Sequence, residues 1–239
     1  MKRALVTGGA SPLGQAICRR LAADGHHVAI HAHANGAGAQ ALAAELIAGG
    51  GSAEAFTCDI SNYDATGAAL GPLLATGPFQ ILVHNAGTHD DAPMAGMSEA
   101  QWRSVVDVSL NGFFNVTRPL LLPMMATRWG RIVAISSVSA ILGNRGQANY
   151  AAAKAGLIGA ARSLAREVAS LGVTVNAVAP GIIASPATAA MDAARIAEIV
   201  PMRRAGTAEE VADLVGFLAG AQAGYVTGQC VGVNGGMVG

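Results

Sequence analysis

Two periodicities alternate along this chain, and their alternation leaves few folds open. Short runs rich in β-branched residues and alanine fall near Arg3 to Thr7, His27 to Ala32, Ala53 to Cys58, Gln80 to His84, Arg131 to Ser136, Val173 to Val178 and Gln229 to Val233. Longer stretches with helical spacing separate them. A strand followed by a helix before the next strand returns in the same direction, so the pattern predicts a doubly wound α/β fold, a parallel sheet with helices on both faces. Two helices mark their own starts: Ser98-Glu99-Ala100-Gln101 and Thr207-Ala208-Glu209-Glu210 place a hydroxyl three residues ahead of a side chain that can reach back to it, a capping box. Leu157, Leu164, Val168 and Leu171 recur at helical spacing behind Tyr150. That stripe reads as core, and it sets Tyr150 and Lys154 in the first turns of the helix.

At 239 residues the chain suits one doubly wound domain spanning residues 1–239 and can bury a large core. Half of it is apolar, yet Leu120-Leu121-Leu122 is closed off by Pro119 and Pro123, far short of the roughly 20 residues a membrane span needs. A soluble protein is expected. Met1 to Gly8 offers too few apolar residues for a signal peptide, so the cytoplasm is the expected compartment. The formal charge is zero and no basic stripe appears, which argues against a nucleic-acid partner. Cys18, Cys58 and Cys230 are widely spaced with no C-x-x-C; they read as small apolar residues in a reducing compartment, and no metal site is expected.

Lysine occurs only at Lys2 and Lys154, and every other basic residue is arginine. Arginine supplies helix propensity and surface charge equally well, so the exception points to a place that needs a compact ammonium on a flexible stem. Lys154 lies four residues after Tyr150, on the same helix face. A nearby cation favours phenolate and is expected to move the tyrosine pKa down, toward the working range of a general acid. Upstream, Thr7-Gly8-Gly9-Ala10-Ser11-Pro12-Leu13-Gly14 joins the first strand to a helix and would aim N–H groups and the helix dipole at a pyrophosphate. It lacks G-x-G-x-x-G and is weak by itself.

Thr7-Gly8 with Gly14, then His84-Asn85-Ala86-Gly87, Ser137, Tyr150 to Lys154, Asn176 and Pro180-Gly181 resemble, in order and spacing, the motifs of the short-chain dehydrogenase/reductase family. Within it, Gly143 to Tyr150, Lys154 to Gly159, Thr174 to Gly181 and Val226 to Met237 are similar to the 3-oxoacyl-[acyl-carrier-protein] reductases of fatty-acid synthesis, across essentially the whole chain. His89 to Met94 and Leu110 to Val116 resemble the branch that serves aryl-polyene pigment assembly. The resemblance implies a seven-stranded Rossmann-like fold, a homotetramer, and reduction of a 3-oxoacyl thioester by nicotinamide hydride. Tyr150 would donate the proton and Ser137 would hydrogen-bond the carbonyl oxygen, although Ser137 also reads as ordinary strand-end polarity beside Ser136 and Ser139. Lys154 would hold the nicotinamide ribose. Asn85, Ala86 and Gly87 would line the cofactor through their backbone, and Asp59 would meet the adenine amino group, unless it is simply a turn residue. Further implied contacts are Gly8, Ser11, Leu13 and Gly14 in the first turn, His33 and Ile60, and Pro180, Gly181 and Ile183.

The departures from the family pattern matter equally. Ser109 stands where related chains carry the asparagine that anchors a catalytic water; it is shorter but keeps a donor and acceptors, while Asn111 falls on another helix face. Pro12 replaces a glycine and removes one N–H from the first turn, and His84 stands where a first asparagine is common. The end of the second strand, His31-Ala32-His33-Ala34-Asn35, lacks the carboxylate that binds an NAD ribose, which favours NADPH. His31 and His33 could meet a 2′-phosphate or be partly buried neutral side chains. Arg145 reads as a surface arginine or a substrate contact. The resemblance makes Arg128 a contact for an acidic acyl carrier protein, with Leu171 where a second arginine is usual. Two other functions stay open: a reductase of sugars, steroids or small alcohols, and a non-catalytic NADP-binding scaffold, which would not be expected to keep Ser137, Tyr150 and Lys154 together.

Overall fold

The computed structural model describes residues 1–186 and 188–238. Strands β1 (Arg3–Thr7), β2 (His27–Ala32), β3 (Ser52–Thr57), β4 (Ile81–His84), β5 (Gly130–Ile135), β6 (Val173–Pro180) and β7 (Cys230–Val233) form one all-parallel sheet in the order β3-β2-β1-β4-β5-β6-β7. This is the Rossmann-like doubly wound arrangement. Every expected strand is present, with ends displaced by a residue or two. β6 runs on to Pro180 because a proline lacks only its own donor, and its carbonyl still accepts the Val138 N–H at 2.9 Å.

Helices α1 (Pro12–Ala23), α2 (Gly36–Ala48), α3 (Tyr63–Ala75), α4 (Glu99–Val106), α5 (Gly112–Ala126), α6 (Ser139–Leu142), α7 (Ala148–Val168), α8 (Ala193–Ile199) and α9 (Ala208–Ala219) connect and cover the sheet. Successive strand residues point to opposite faces. Val6, Ile30, Val83 and Val133 therefore pack with Ile17, Leu42 and Val215 of α1, α2 and α9, while Leu5, Leu82 and Ile132 pack with Leu70, Leu120 and Leu157 of α3, α5 and α7. Leu157 is fully buried, so its truncation to alanine would cost about 2–5 kcal/mol. Both capping boxes form, at Ser98 with Gln101 and at Thr207 with Glu210. No helix among the described residues is long and apolar enough to cross a membrane.

Two features place a site. β1 pairs with β2 on one side and β4 on the other, so the chain reverses its direction of winding there and a crevice opens between the carboxyl ends of β1 and β4. Between α4 and α5, Asp107–Asn111 forms a wide π-helical turn, which inserts an extra residue and turns Ser109 into the protein.

Candidate active site

Ser137 follows β5, and Tyr150 and Lys154 lie on the first turns of α7; together with Asn85, Gly87 and Gly181 they line one cleft at the carboxyl edge of the sheet. α7 is anchored to β5 twice. The Ser136 hydroxyl donates to the Lys154 carbonyl at 2.8 Å, and the Lys154 ammonium donates to the Ile135 carbonyl at 2.8 Å. The start of α7 is held by Asn149, which is fully buried: its amide donates to the Asp90 and Gln101 carbonyls at 2.9 and 3.1 Å and its oxygen accepts the Tyr150 N–H at 2.8 Å. Sequence reasoning gave Asn149 no role, although its place beside Tyr150 was the available signal.

The electrostatics correct one expectation. The ammonium lies over the face of the Tyr150 ring, 5.7 Å from its centroid, and spends a proton on the Ile135 carbonyl. Burial pushes the Tyr150 phenol above its ordinary value, the Ser137 hydroxyl opposes that, and the Asp91 carboxylate adds to it. Burial also brings Lys154 down to about 8. Lysine does not set the direction here, because desolvation of the phenol is the largest effect on it.

The first turn fits a dinucleotide, by a different donor than the motif suggests. Gly8 has φ +63° and a Cβ on Gly14 would come within 2.2 Å of the Gly8 carbonyl oxygen, so both positions require glycine. The Gly8 N–H is spent on His31 Nδ1, Gly9 on the His31 carbonyl, Ser11 on the Gly8 carbonyl and Gly14 on the Ser11 hydroxyl that caps α1. Leu13 is the first residue of α1 with an N–H to offer, because Pro12 occupies the first helical position where a missing N–H costs nothing. Among the described residues its N–H has no partner, and Leu13 lines the cleft that holds Tyr150. An anion at this helix terminus would be met there. Asn85 stitches the crevice shut behind it, donating to the Thr7 and Gly8 carbonyls at 3.1 and 3.0 Å. A Cβ on Gly87 would lie 2.9 Å from the Lys154 ammonium and 3.3 Å from the Ser109 hydroxyl, a space only glycine leaves open.

A second cleft, about 490 Å³, brings together Gly8, His33, Asp59, Ile60, Ala86 and Gly87. Asp59 accepts from the Ser61 N–H and hydroxyl at 2.9 and 2.7 Å, which hold its carboxyl below the usual range, and Asn115 ties down the Ile60 carbonyl at 2.8 Å. The two histidines separate. His31 is buried, accepts from Gly8 and donates Nε2–H to the Cys58 carbonyl at 3.0 Å, and burial lowers its pKa; it is a neutral strut. His33 is exposed on the rim.

On the other side of Tyr150 a larger cleft of about 700 Å³ has an apolar wall that includes Leu142, Ile183, Met191, Ile199 and Met237. Gln147 braces its entrance, donating to Asp91 at 2.8 Å and accepting from Ser139 and Asn144 at 3.1 and 3.0 Å. Gly181 is common to this cleft and the Tyr150 cleft, Pro180 belongs to the latter and Ile183 to the former. Ser109 is fully buried with an unpartnered hydroxyl, whereas Asn111 is exposed and bonds Asp107 at 2.7 Å, so it does not take Ser109's place. Asn176 bonds the Val226 carbonyl and the Gln229 N–H and serves β7. Arg145 is exposed. Arg128 donates to the Ser170 carbonyl at 3.3 Å beside Leu171, at the start of β5. That is the opposite edge of the sheet from Tyr150, about 20 Å away along a six-residue strand, and not the mouth of the site in this chain.

The profile of a family described as enoyl-(acyl carrier protein) reductase matches residues 8–238. The chain is 42% identical over 98% of its length to a 3-oxoacyl-[acyl-carrier-protein] reductase of Synechocystis, covering 96% of that protein. It is 43% identical over 98% of its length to an acetoacetyl-CoA reductase of Allochromatium vinosum, covering 97%, and 42% identical over 99% to the 3-oxoacyl-[acyl-carrier-protein] reductase FabG of Escherichia coli, covering 97%. With the sheet order, the glycine turn and the grouped Ser137, Tyr150 and Lys154, these similarities make the chain an oxidoreductase that belongs to the short-chain dehydrogenase/reductase family.

Proposed function

We propose that the chain, as one domain, reduces the ketone of a 3-oxoacyl thioester borne on an acyl carrier protein, with NADPH as the reductant. The observation that carries the reading is the position of Tyr150, a half-buried phenol kept protonated, where the dinucleotide crevice meets the apolar cleft. The residues present fit the cofactor. Leu13 N–H would meet the pyrophosphate, Gly87 leaves room beside Lys154, and His33, Asp59 and Ile60 would flank the adenosine end. When bound, the dinucleotide supplies a hydride. Ser137 and Tyr150 orient the carbonyl, Tyr150 gives its proton to the alkoxide oxygen, and the Lys154 ammonium stabilises the phenolate left behind. Ser109 supplies the polar contact behind Lys154. The exposed rim of β2 carries His33 and no carboxylate, which supports NADPH over NADH.

The carrier is supported by the relatives' names. One relative acts on a coenzyme A thioester, so that reading stands second. Exposed Phe114, stacked on Tyr63 at 6.2 Å, and exposed Leu122 give α5 an apolar face that supports a homo-oligomer, and we place the enzyme in the cytoplasm. The test is NADPH oxidation with acetoacetyl, long-chain and aryl-polyenyl 3-oxo thioesters, each on carrier protein and on coenzyme A, with a 2-enoyl thioester alongside. Turnover of the 3-oxo carrier thioesters above the others is expected. Turnover of the enoyl substrate alone, or of none of them, would overturn the reading.

A further inference from the structure

The fold puts His84 and Ser109 in contact. The His84 ring is fully buried, edge-on to Phe113 with ring centroids 5.5 Å apart, and its Nε2 lies 3.0 Å from the Ser109 carbonyl oxygen. A carbonyl only accepts, so Nε2 carries the hydrogen and Nδ1 is an acceptor. Thr7 Oγ1, 3.2 Å from Nδ1, must then donate to it. The same oxygen accepts the Asn85 and Ala86 N–H groups, both at 3.0 Å, which uses its remaining lone pairs. One imidazole thus ties the first turn of the cofactor crevice to the π-helical turn. Burial, and then the Lys154 ammonium, bring His84 down to about 3, so the ring stays neutral.

The other end of this chain of contacts is unspent. Ser109 Oγ has no partner although it is fully buried, and it and the Lys154 ammonium both border the space above Gly87. We infer that His84 is a positioning residue: its imidazole fixes the Ser109 turn so that the serine hydroxyl faces Lys154 across Gly87. The inference rests on the reductase reading above. Size argues for the pairing as well as hydrogen bonding. A large ring at position 84 sits with a small side chain at 109, and two asparagines would fill the same space more nearly than either exchange alone.

The test compares the native enzyme with His84→Asn, Ser109→Asn and the double variant, using NADPH and acetoacetyl thioester, with cofactor affinity measured by NADPH fluorescence. Each single variant is expected to lose about tenfold or more in kcat with cofactor affinity within about twofold, and the double variant to recover to within about threefold of the native kcat. A double variant no better than the poorer single, or loss of cofactor affinity in step with kcat, would overturn the pairing. Where His84→Asn does not fold, His84→Gln keeps an N–H donor, and its retention of more kcat than Ser109→Asn is expected; an inactive, folded His84→Gln counts against the inference. A readout independent of turnover is the nitrogen spectrum of His84 in the native protein, where a neutral Nε2–H ring from pH 6 to 9 is expected and an Nδ1–H or charged ring overturns the inference. If no thioester is reduced at all, the functional reading fails while the spectrum still judges the contact.

Discussion

Replacing Lys154 by methionine keeps the reach of the side chain and removes its charge, and the buried setting of Lys154 sets the size of the result. Lys154 is 3% exposed and its pKa falls from 10.5 to about 8 because burial disfavours the ammonium. At about 1.4 kcal/mol per unit, that difference costs the folded protein about 3 kcal/mol at pH 7, where lysine is charged in both states. The hydrogen bond to Ile135 returns about 1 kcal/mol. The methionine variant should therefore be about 2 kcal/mol more stable than the native protein at pH 7, near 4–8 °C in Tm for a chain of this size. The sign of the pH dependence follows. Between about 8 and 10.5 the unfolded native chain holds a proton that the folded one has released, so native stability rises with pH across that window. Above 10.5 neither state is charged, and the native protein should lead by its hydrogen bond. Urea unfolding of both proteins from pH 7 to 11, at one protein concentration, measures the gap. Groups that do not face Lys154 titrate alike in both and cancel. A variant less stable at pH 7, or a gap that does not change with pH, would refute the reasoning.

Tyr150→Phe should lower turnover by roughly 10²–10⁴ while leaving NADPH affinity nearly unchanged, since it removes the proton donor and keeps the ring; comparable turnover in single-turnover assays would defeat the mechanism. Ala32, at the end of β2, is buried, so an aspartate there would bury a carboxylate; His33→Asp puts the charge on the exposed rim and should shift preference from NADPH toward NADH, read as the ratio of kcat/KM for the two cofactors. Arg128→Ala, at the far edge of the sheet, should leave KM for carrier-bound and coenzyme A thioesters alike within about twofold. A rise in KM confined to the carrier-bound substrate would make Arg128 a carrier contact after all.

What was legible in the sequence was what repeats or pairs at fixed spacing. Strand periodicity predicts all of β1 to β7 because the inner strands are buried along their length and written in apolar residues, while the half-buried edge strands β3 and β7 still carry short β-type runs, and the capping boxes at Ser98 and Thr207 need only four residues each. Tyr150 and Lys154 share a helix face for the same local reason. What depends on partners distant in sequence was not legible. The buried ends of Ala32 and His31 are set by β3 and the first turn, and only the contact with Cys58 shows that His31 is a strut. The role of Asn149 needs the loop at Asp90 and the helix at Gln101 brought to it. Arg128 reads as a mouth residue until the strand it precedes is seen to run away from it. The direction of the tyrosine shift also needed the fold, because spacing shows that a cation is near but not how far the phenol is desolvated.

That direction suits reduction better than the expected one. A reductase must present a protonated donor when the ketone arrives, so a phenol held above its ordinary value by burial rests in the right state at neutral pH. Lys154, brought down to about 8, is still charged there, and it lies over the ring on which negative charge appears only after the proton has left. Held by Ile135 beside the ring, the ammonium would favour the phenolate after transfer, while burial of the phenol keeps its resting proton in place. The buried polar cluster behind it has the same logic. His84 is neutral and fully bonded, so it adds rigidity without adding a second charge next to Lys154, and Ser109 keeps an unspent hydroxyl on the side from which the lysine can be reached. The stability given up at Lys154 is thus confined to the group whose charge the chemistry uses.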